Sequence, residues 1–303
     1  MTRRGALELP LLVAVLGAAL PLSGSSYLLG IGFSLCCWIA LVQSWTVLSA
    51  MAGYVSLGHV VFYGLGAYVV ALSWGVLPLP VALVLAGAVA GAFALLVGLP
   101  VLRVRGPYFV ILTFGIAELV KYVVILIESR LGEFSRLMFG APDLPWLYAI
   151  ALGLAVAATL GAVLIRGSRL GRGLLALREN EEAAETVGVP TTRLKLIAFV
   201  LSSIIPGIVG GLVALRTAYF EPMQAFDPTV SFTIVTMAVV GGSDDARGPL
   251  LGAAFFTLLS ELLWARLPQF YMVVLGLLLI FFVLFIPRGI AGIVLSRLRR
   301  SPS

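Results

Sequence analysis

The chain reads as an all-α integral membrane protein, a polytopic helix bundle of eight to ten crossings, and three observations predict this. Of its 303 residues, 61% are hydrophobic and only 11% charged, under half of the roughly 25% charged residues usual in soluble domains. The apolar residues come in runs near the ~20 that a helix needs to cross hydrocarbon, where unpaired backbone groups are not tolerated. The longest interruption is a polar island at 166–195, which holds six of the 20 basic residues and four of the 14 acids.

Taken in chain order, the expected crossings are 10–29, 30–52, 57–76, 80–102, 108–127, 147–165, 196–215, 230–240, 250–265 and 270–286. Ten is the preferred count. The eighth is short for a spanning helix. The stretch 53–66 is rich in glycine and serine and suits a broken or re-entrant helix. The start of the chain has the outline of a signal peptide, with Arg3 and Arg4, an apolar run and small residues at 23–26. Further apolar runs follow at once, which favours an uncleaved first helix. Adjacent Cys36 and Cys37 lie in an apolar run with no other ligands nearby and read as small hydrophobes.

The net charge of +6 is explained by topology and calls for no nucleic-acid partner. With ten crossings and the N-terminus inside, fifteen basic residues fall inside and four outside: Arg130, Arg136, Arg216 and Arg266. Lys121, within a crossing, is not counted. This asymmetry places both termini, the island and a basic tail at 288–303 in the cytoplasm.

Gly87/Gly91 and Gly207/Gly211 stand four residues apart and read as close helix packing. The segment from Gly53 to Tyr68 is different: it concentrates glycines, hydroxyls and the chain's single histidine. Weak helix at membrane depth is tolerated where backbone lines a cavity, so Ser56, Gly58, His59 and Tyr63 are candidate path-lining residues. Tight packing with locally satisfied side chains is the competing reading. Glu118 and Lys121 stand three apart in one crossing, within pairing reach on one helix face. As intramembrane charges they are candidates for the same path or for a structural ion pair. Glu261, near the end of a later crossing, can snorkel or pair with Arg266. No cluster of residues suits a metal.

Within the island, Asn180 is a candidate N-cap, Glu181 and Glu182 fall in the electropositive first turn, and Gly188 with Pro190 supplies a stop. Two turns are not stable alone, so this helix needs a partner surface. Ala183, Ala184 and Val187 offer it a shallow apolar face, and Arg178 with the flanking acids a charged rim.

Glu182-Ala183-Ala184, three residues and then Gly188 resembles the motif by which permease subunits of ABC importers engage their ATPases. The isoleucine that follows in the family pattern falls one place early at Ile197, and the Leu-Pro pair is missing. Four further blocks, in order, are Gly53 to His59 with Gly64 to Tyr68, Leu102 to Phe109, Ser168 to Gly188, and Gly241-Gly242 through Gly248-Pro249 with Gly252-Ala253. Together they resemble the branched-chain amino-acid ABC importer permeases over about 28–287, a family whose scaffold urea and short-amide importers share.

The resemblance implies a single permease domain over 1–303 of the type II importer class, with 166–195 as the ATPase-coupling loop. It implies a bacterial inner-membrane location, two ABC ATPase subunits, a homologous second permease, an extracytoplasmic substrate-binding protein and surrounding lipid as partners. It also implies Arg178, Asn180, Glu182, Ala183, Ala184 and Gly188 as coupling residues. The only lysines, Lys121 and Lys195, are followed by Tyr122 and Leu196, so the chain lacks a P-loop and ATP would be bound by partner subunits. No catalytic residue, cofactor or metal is expected. A gradient-driven secondary transporter, with Glu118 and Lys121 as coupling charges, is the alternative from another class.

Overall fold

The computed structural model describes residues 3–132, 135–242 and 246–266, with positions 273, 276, 277 and 280 beyond. Apart from those four positions, the crossing expected at 270–286 lies outside the described residues, as does the basic tail.

Helix α1 (Arg3–Ala19) ends in a 3-10 turn (Leu20–Ser23) closed by Gly24 at φ 64°. Helix α2 (Ser26–Ala52) then starts from an N-cap in which the Ser25 hydroxyl accepts from the Leu28 amide. The expected boundary between the first two crossings, at 29/30, therefore moves back to about residue 24. Pro21 and Gly24 break the chain, and Ser25 nucleates the longer helix. Helix α2 is the central post: 78% of its most apolar window is buried, against 28% in α5 (Pro107–Leu131).

Helix α3 (His59–Ser73) has 15 residues, about 22 Å at 1.5 Å per residue and short of the ~30 Å hydrocarbon core. The crossing expected at 57–76 is shortened because an irregular segment, 53–58, begins with Gly53 at φ 78° and separates α3 from α2. Helices α4 (Leu79–Val101), α6 (Leu144–Gly167) and α9 (Thr191–Thr217) are full-length spans, like α2 and α5. The island forms α7 (Arg169–Glu179) and α8 (Glu181–Thr186). Beyond α9 come the short α10 (Pro222–Ala225), α11 (Thr229–Gly241) and α12 (Arg247–Arg266). The short crossing expected at 230–240 gains length from α10, since Pro222–Gly241 together is apolar enough to span. A two-residue strand β1 (Arg136–Leu137) pairs antiparallel with β2 (Tyr219–Phe220) at the end opposite the island.

Backbone-to-backbone packing holds the bundle together. A β-carbon on Gly66 would strike the carbonyl of Gly207, and one on Gly210 would strike that of Tyr63, so α3 and α9 meet without side chains between them. Gly207 and Gly211 face Ala86, Ala90, Val70 and Leu83, and Gly87 faces Ile204 and Ile208. This is the close approach that replaces a hydrophobic drive inside lipid. At the far end, the buried Glu128 carboxylate accepts from Tyr68 Oη at 2.7 Å and Arg136 Nη2 at 3.1 Å, tying α3, α5 and β1 together. Cys36 and Cys37 are buried and free.

Candidate functional site

The island folds because its polar residues serve the backbone. The Ser168 hydroxyl caps α7 by accepting from the Gly171 amide, and the Asn180 side chain caps α8 by accepting from the Ala183 amide at 3.0 Å. Helix α8 stops after Thr186, and Gly188 adopts φ 86°, a conformation glycine takes at little cost. Arg178, at the end of α7, donates to the Ala50 carbonyl at 2.8 Å. It thereby caps the last turn of α2, where the helix dipole favours a cation.

The inner side of α8 is anchored by Glu181. Its carboxylate accepts from Tyr54 Oη at 2.8 Å and Lys195 Nζ at 2.6 Å, and pairs with Arg105 Nη2 at 3.1 Å. Lys195 also donates to Tyr54 Oη at 3.2 Å and the Leu102 carbonyl at 3.3 Å. An ammonium has three donors, and here all three are used. Burial pushes the Glu181 carboxyl up, but hydrogen bonds from Lys195 and Tyr54, with the charges of Lys195 and Arg105, outweigh it and hold the group below its ordinary value. Burial, then the Glu181 hydrogen bond, raises the Tyr54 phenol, which keeps it a donor. One carboxylate thus joins α8 to the 53–58 segment, the α4–α5 turn and the first turns of α9.

Sequence reasoning placed all the island's charges in water. The structure corrects that for Lys195, which is 4% exposed, because the long-range partners Tyr54 and Leu102 come from other elements. Nor is the expected apolar face of α8 a single face: Ala184 is buried inward, while Glu182, Ala183 and Val187 are exposed. A groove of about 1020 Å³ lies beside α8, between α7 and 187–197, and is lined by Arg169, Arg172, Arg193, Val189 and Leu194 among others.

The other candidates lie along 53–66 and on α5. Ser56 Oγ accepts from the Gly58 amide at 3.1 Å, and its carbonyl accepts from Trp45 Nε1 at 2.9 Å. Gly58 packs against Thr113, whose hydroxyl accepts from the Leu57 amide at 3.2 Å and so seats α5 on the segment. His59 is fully buried and stands edge-on to Phe62, with no partner for either ring nitrogen among the described residues. Tyr63, farther along α3, lines a cavity of about 110 Å³ with Thr217 and Gln224. Glu118 and Lys121 form an ion pair on α5, with side chains 28% and 12% exposed. Glu261 accepts from Tyr27 Oη at 2.7 Å; the side chain of Arg266, its other expected partner, is outside the described residues. No group of three or more metal-ligating side chains occurs among the described residues.

Sequence reasoning missed the long-range partnerships of Tyr54 and Glu181 in the anchor and of Glu128 at the far end, and it missed Gln43 and Thr257, each with a buried oxygen lacking a partner among the described residues. Their signal was polarity inside an apolar run, the same mark that flagged Glu118.

A bundle of apolar helices glued by glycine, with a capped polar island at one end, defines a multi-pass membrane permease. The chain belongs to the branched-chain amino acid transport system / permease component family, whose model matches residues 27–283. Permeases of this family act with separate ATPase and substrate-binding components and are not themselves catalytic enzymes. The chain is 30% identical to the high-affinity branched-chain amino acid transport system permease protein LivM of Salmonella typhimurium and 29% identical to that of Escherichia coli, in each case over 84% of this chain and 67% of the relative. It is 30% identical to the autoinducer 2 import system permease protein LsrC of Klebsiella pneumoniae, over 64% of this chain and 60% of that one. No solved structure matches the chain.

Proposed function

We propose that the chain is one permease subunit of an ATP-driven importer that carries branched-chain amino acids across the bacterial inner membrane, with both termini and the island in the cytoplasm. The observation that carries the reading is the two-sided α8. Its inner side is pinned to three transmembrane elements through Glu181, while Glu182, Ala183 and Val187 face outward. Such a helix passes a push on its outer side into the bundle, which is what an ATPase must do to switch access. The basic groove beside it, with Arg169, Arg172 and Arg193, suits an acidic rim on that ATPase.

A homologous permease packs on α5 to form the pore. That helix leaves Ile111, Leu119 and Tyr122 exposed, at 67%, 62% and 61%, and carries the Glu118–Lys121 pair, which is costly against lipid and cheap in a pore or interface. Two ATPase subunits and an extracytoplasmic binding protein complete the assembly. The high-affinity branched-chain cargo of the LivM relatives supports the choice of substrate.

The test is co-purification with the ATPases encoded beside the chain and uptake in proteoliposomes. Ala183→Glu and Val187→Glu, both outward and outside the anchor, are expected to abolish ATPase association and ATP-driven leucine uptake while the bundle folds normally. Retention of both activities would falsify the docking role.

A further inference from the structure

Two adjacent hollows lie at the end of the bundle opposite the island. One, about 160 Å³, includes Arg216 and Glu261 in its lining, and the other, about 200 Å³, includes Trp38, Met237 and Thr257; Ser34 and Glu261 line both. From Tyr27, at the start of α2, to Trp38 is eleven residues, so the cleft descends about 16 Å along that helix. The cleft is open to solvent at Tyr27, which is 62% exposed, and carries polar side chains from there down between apolar helices.

Its polar groups are held in place but not used up. Arg216 Nη1 donates to the Gly30 carbonyl at 3.0 Å, and its guanidinium lies 4.8 Å from the Phe33 ring centroid; these contacts leave further donors of its fork available. Glu261 accepts from Tyr27 through one oxygen at 2.7 Å, and its second oxygen has no partner among the described residues. Thr257 is 6% exposed, and its hydroxyl has no partner among the described residues. A buried hydroxyl without a partner is destabilising, so Thr257 weakens the resting bundle. Thr257 and Glu261 are four apart on α12 and therefore lie on one helix face.

We propose that this cleft is a binding site for a zwitterionic α-amino acid with an apolar side chain. The ligand ammonium donates to the free oxygen of Glu261 and to the Thr257 hydroxyl. The carboxylate takes the remaining donors of Arg216, and the side chain lies against Trp38 and Met237. Opposite charges at one end and an aromatic-thioether wall at the other match this class and no simpler one: an amine leaves Arg216 without its anion, and a carboxylic acid leaves Glu261 without its cation. The inference rests on the permease reading above and adds to it a place where cargo pauses inside the membrane subunit.

Equilibrium binding of radiolabelled L-leucine to the purified permease–ATPase complex, without binding protein, tests it, with Trp38 fluorescence as a second readout. Wild type is expected to bind saturably, with 3-methylbutylamine and 4-methyl-2-oxopentanoate competing at least tenfold more weakly than unlabelled leucine. Glu261→Gln should weaken binding at least tenfold. Thr257→Val, which removes only an unpartnered hydroxyl, should weaken it several-fold while leaving the thermal midpoint equal or higher. That opposite movement of stability and affinity is not produced by a merely structural threonine. No saturable binding by wild type, or variants that bind as wild type does, overturns the site. ATP-driven uptake by the same complex with its binding protein added tests the permease reading separately, so uptake without binding at this cleft rejects the site alone.

Discussion

Two sets of buried polar groups in the molecule are treated in opposite ways. At the island, Glu181, Lys195, Tyr54 and Arg105 satisfy one another. Deeper in the bundle and toward the other end, Gln43 Oε1, both His59 nitrogens and the Thr257 hydroxyl have no partner among the described residues. A closed network of charges resists rearrangement, because removing any member strands the others in low dielectric. A hydroxyl or imidazole left alone contributes nothing to holding the fold. The contrast separates polar groups that fix a shape from polar groups that no described partner holds.

The contrast can be broken most sharply at Lys195. Lys195→Met leaves Glu181 facing Tyr54 and a half-exposed Arg105, and should cost about 3–5 kcal/mol, the usual penalty for breaking a buried pair. Thermal unfolding in detergent measures it, and an unchanged midpoint would show that the network is ornamental. The double variant Lys195→Met, Glu181→Leu should recover much of that loss, since an apolar replacement of a whole pair is often neutral.

Acidification gives a gentler probe. Glu181 titrates below its ordinary value of 4.5, so the folded state binds fewer protons there than the unfolded chain. Its contribution is fully present above that ordinary value and fades as the pH falls through the lower, folded value. Proteolytic cleavage of 187–190 should therefore stay constant from neutral pH down to about 5 and rise only in stronger acid; a rise between pH 6 and 7 would contradict the assignment. The smallest stability effect is expected at His59. His59→Leu should leave the midpoint within about 1 kcal/mol of wild type or raise it, because no hydrogen bond is lost, while uptake falls. A strongly destabilised variant would mean that the imidazole has a structural partner.

Much of this was legible in the residue string. The fold class followed from hydropathy, and the capped α8 followed from Asn180, the two glutamates and Gly188, because caps and turns are written in neighbouring residues. The packing glycines were legible too, since four-residue spacing is a helix face. What the string hid was long-range. Lys195 looked like one more solvated base because Tyr54 is 141 residues away, and Glu128 gave no hint of Arg136 and Tyr68. The break ahead of α3 was written in the glycines and serines of 53–66, but its extent, 53–58, was not.

The glycine contact between α3 and α9 has a mechanical corollary. With Gly66 and Gly210 seated on bare carbonyls, the two helices lie in direct backbone contact and form one closely packed beam. The near end of that beam is hitched to α8 twice: through the four-residue link 187–190 into α9, and through Tyr54, which lies just ahead of α3. Under the proposed docking role, a displacement of α8 would reach both members of the beam together and tilt them as a unit, like an oar in its rowlock.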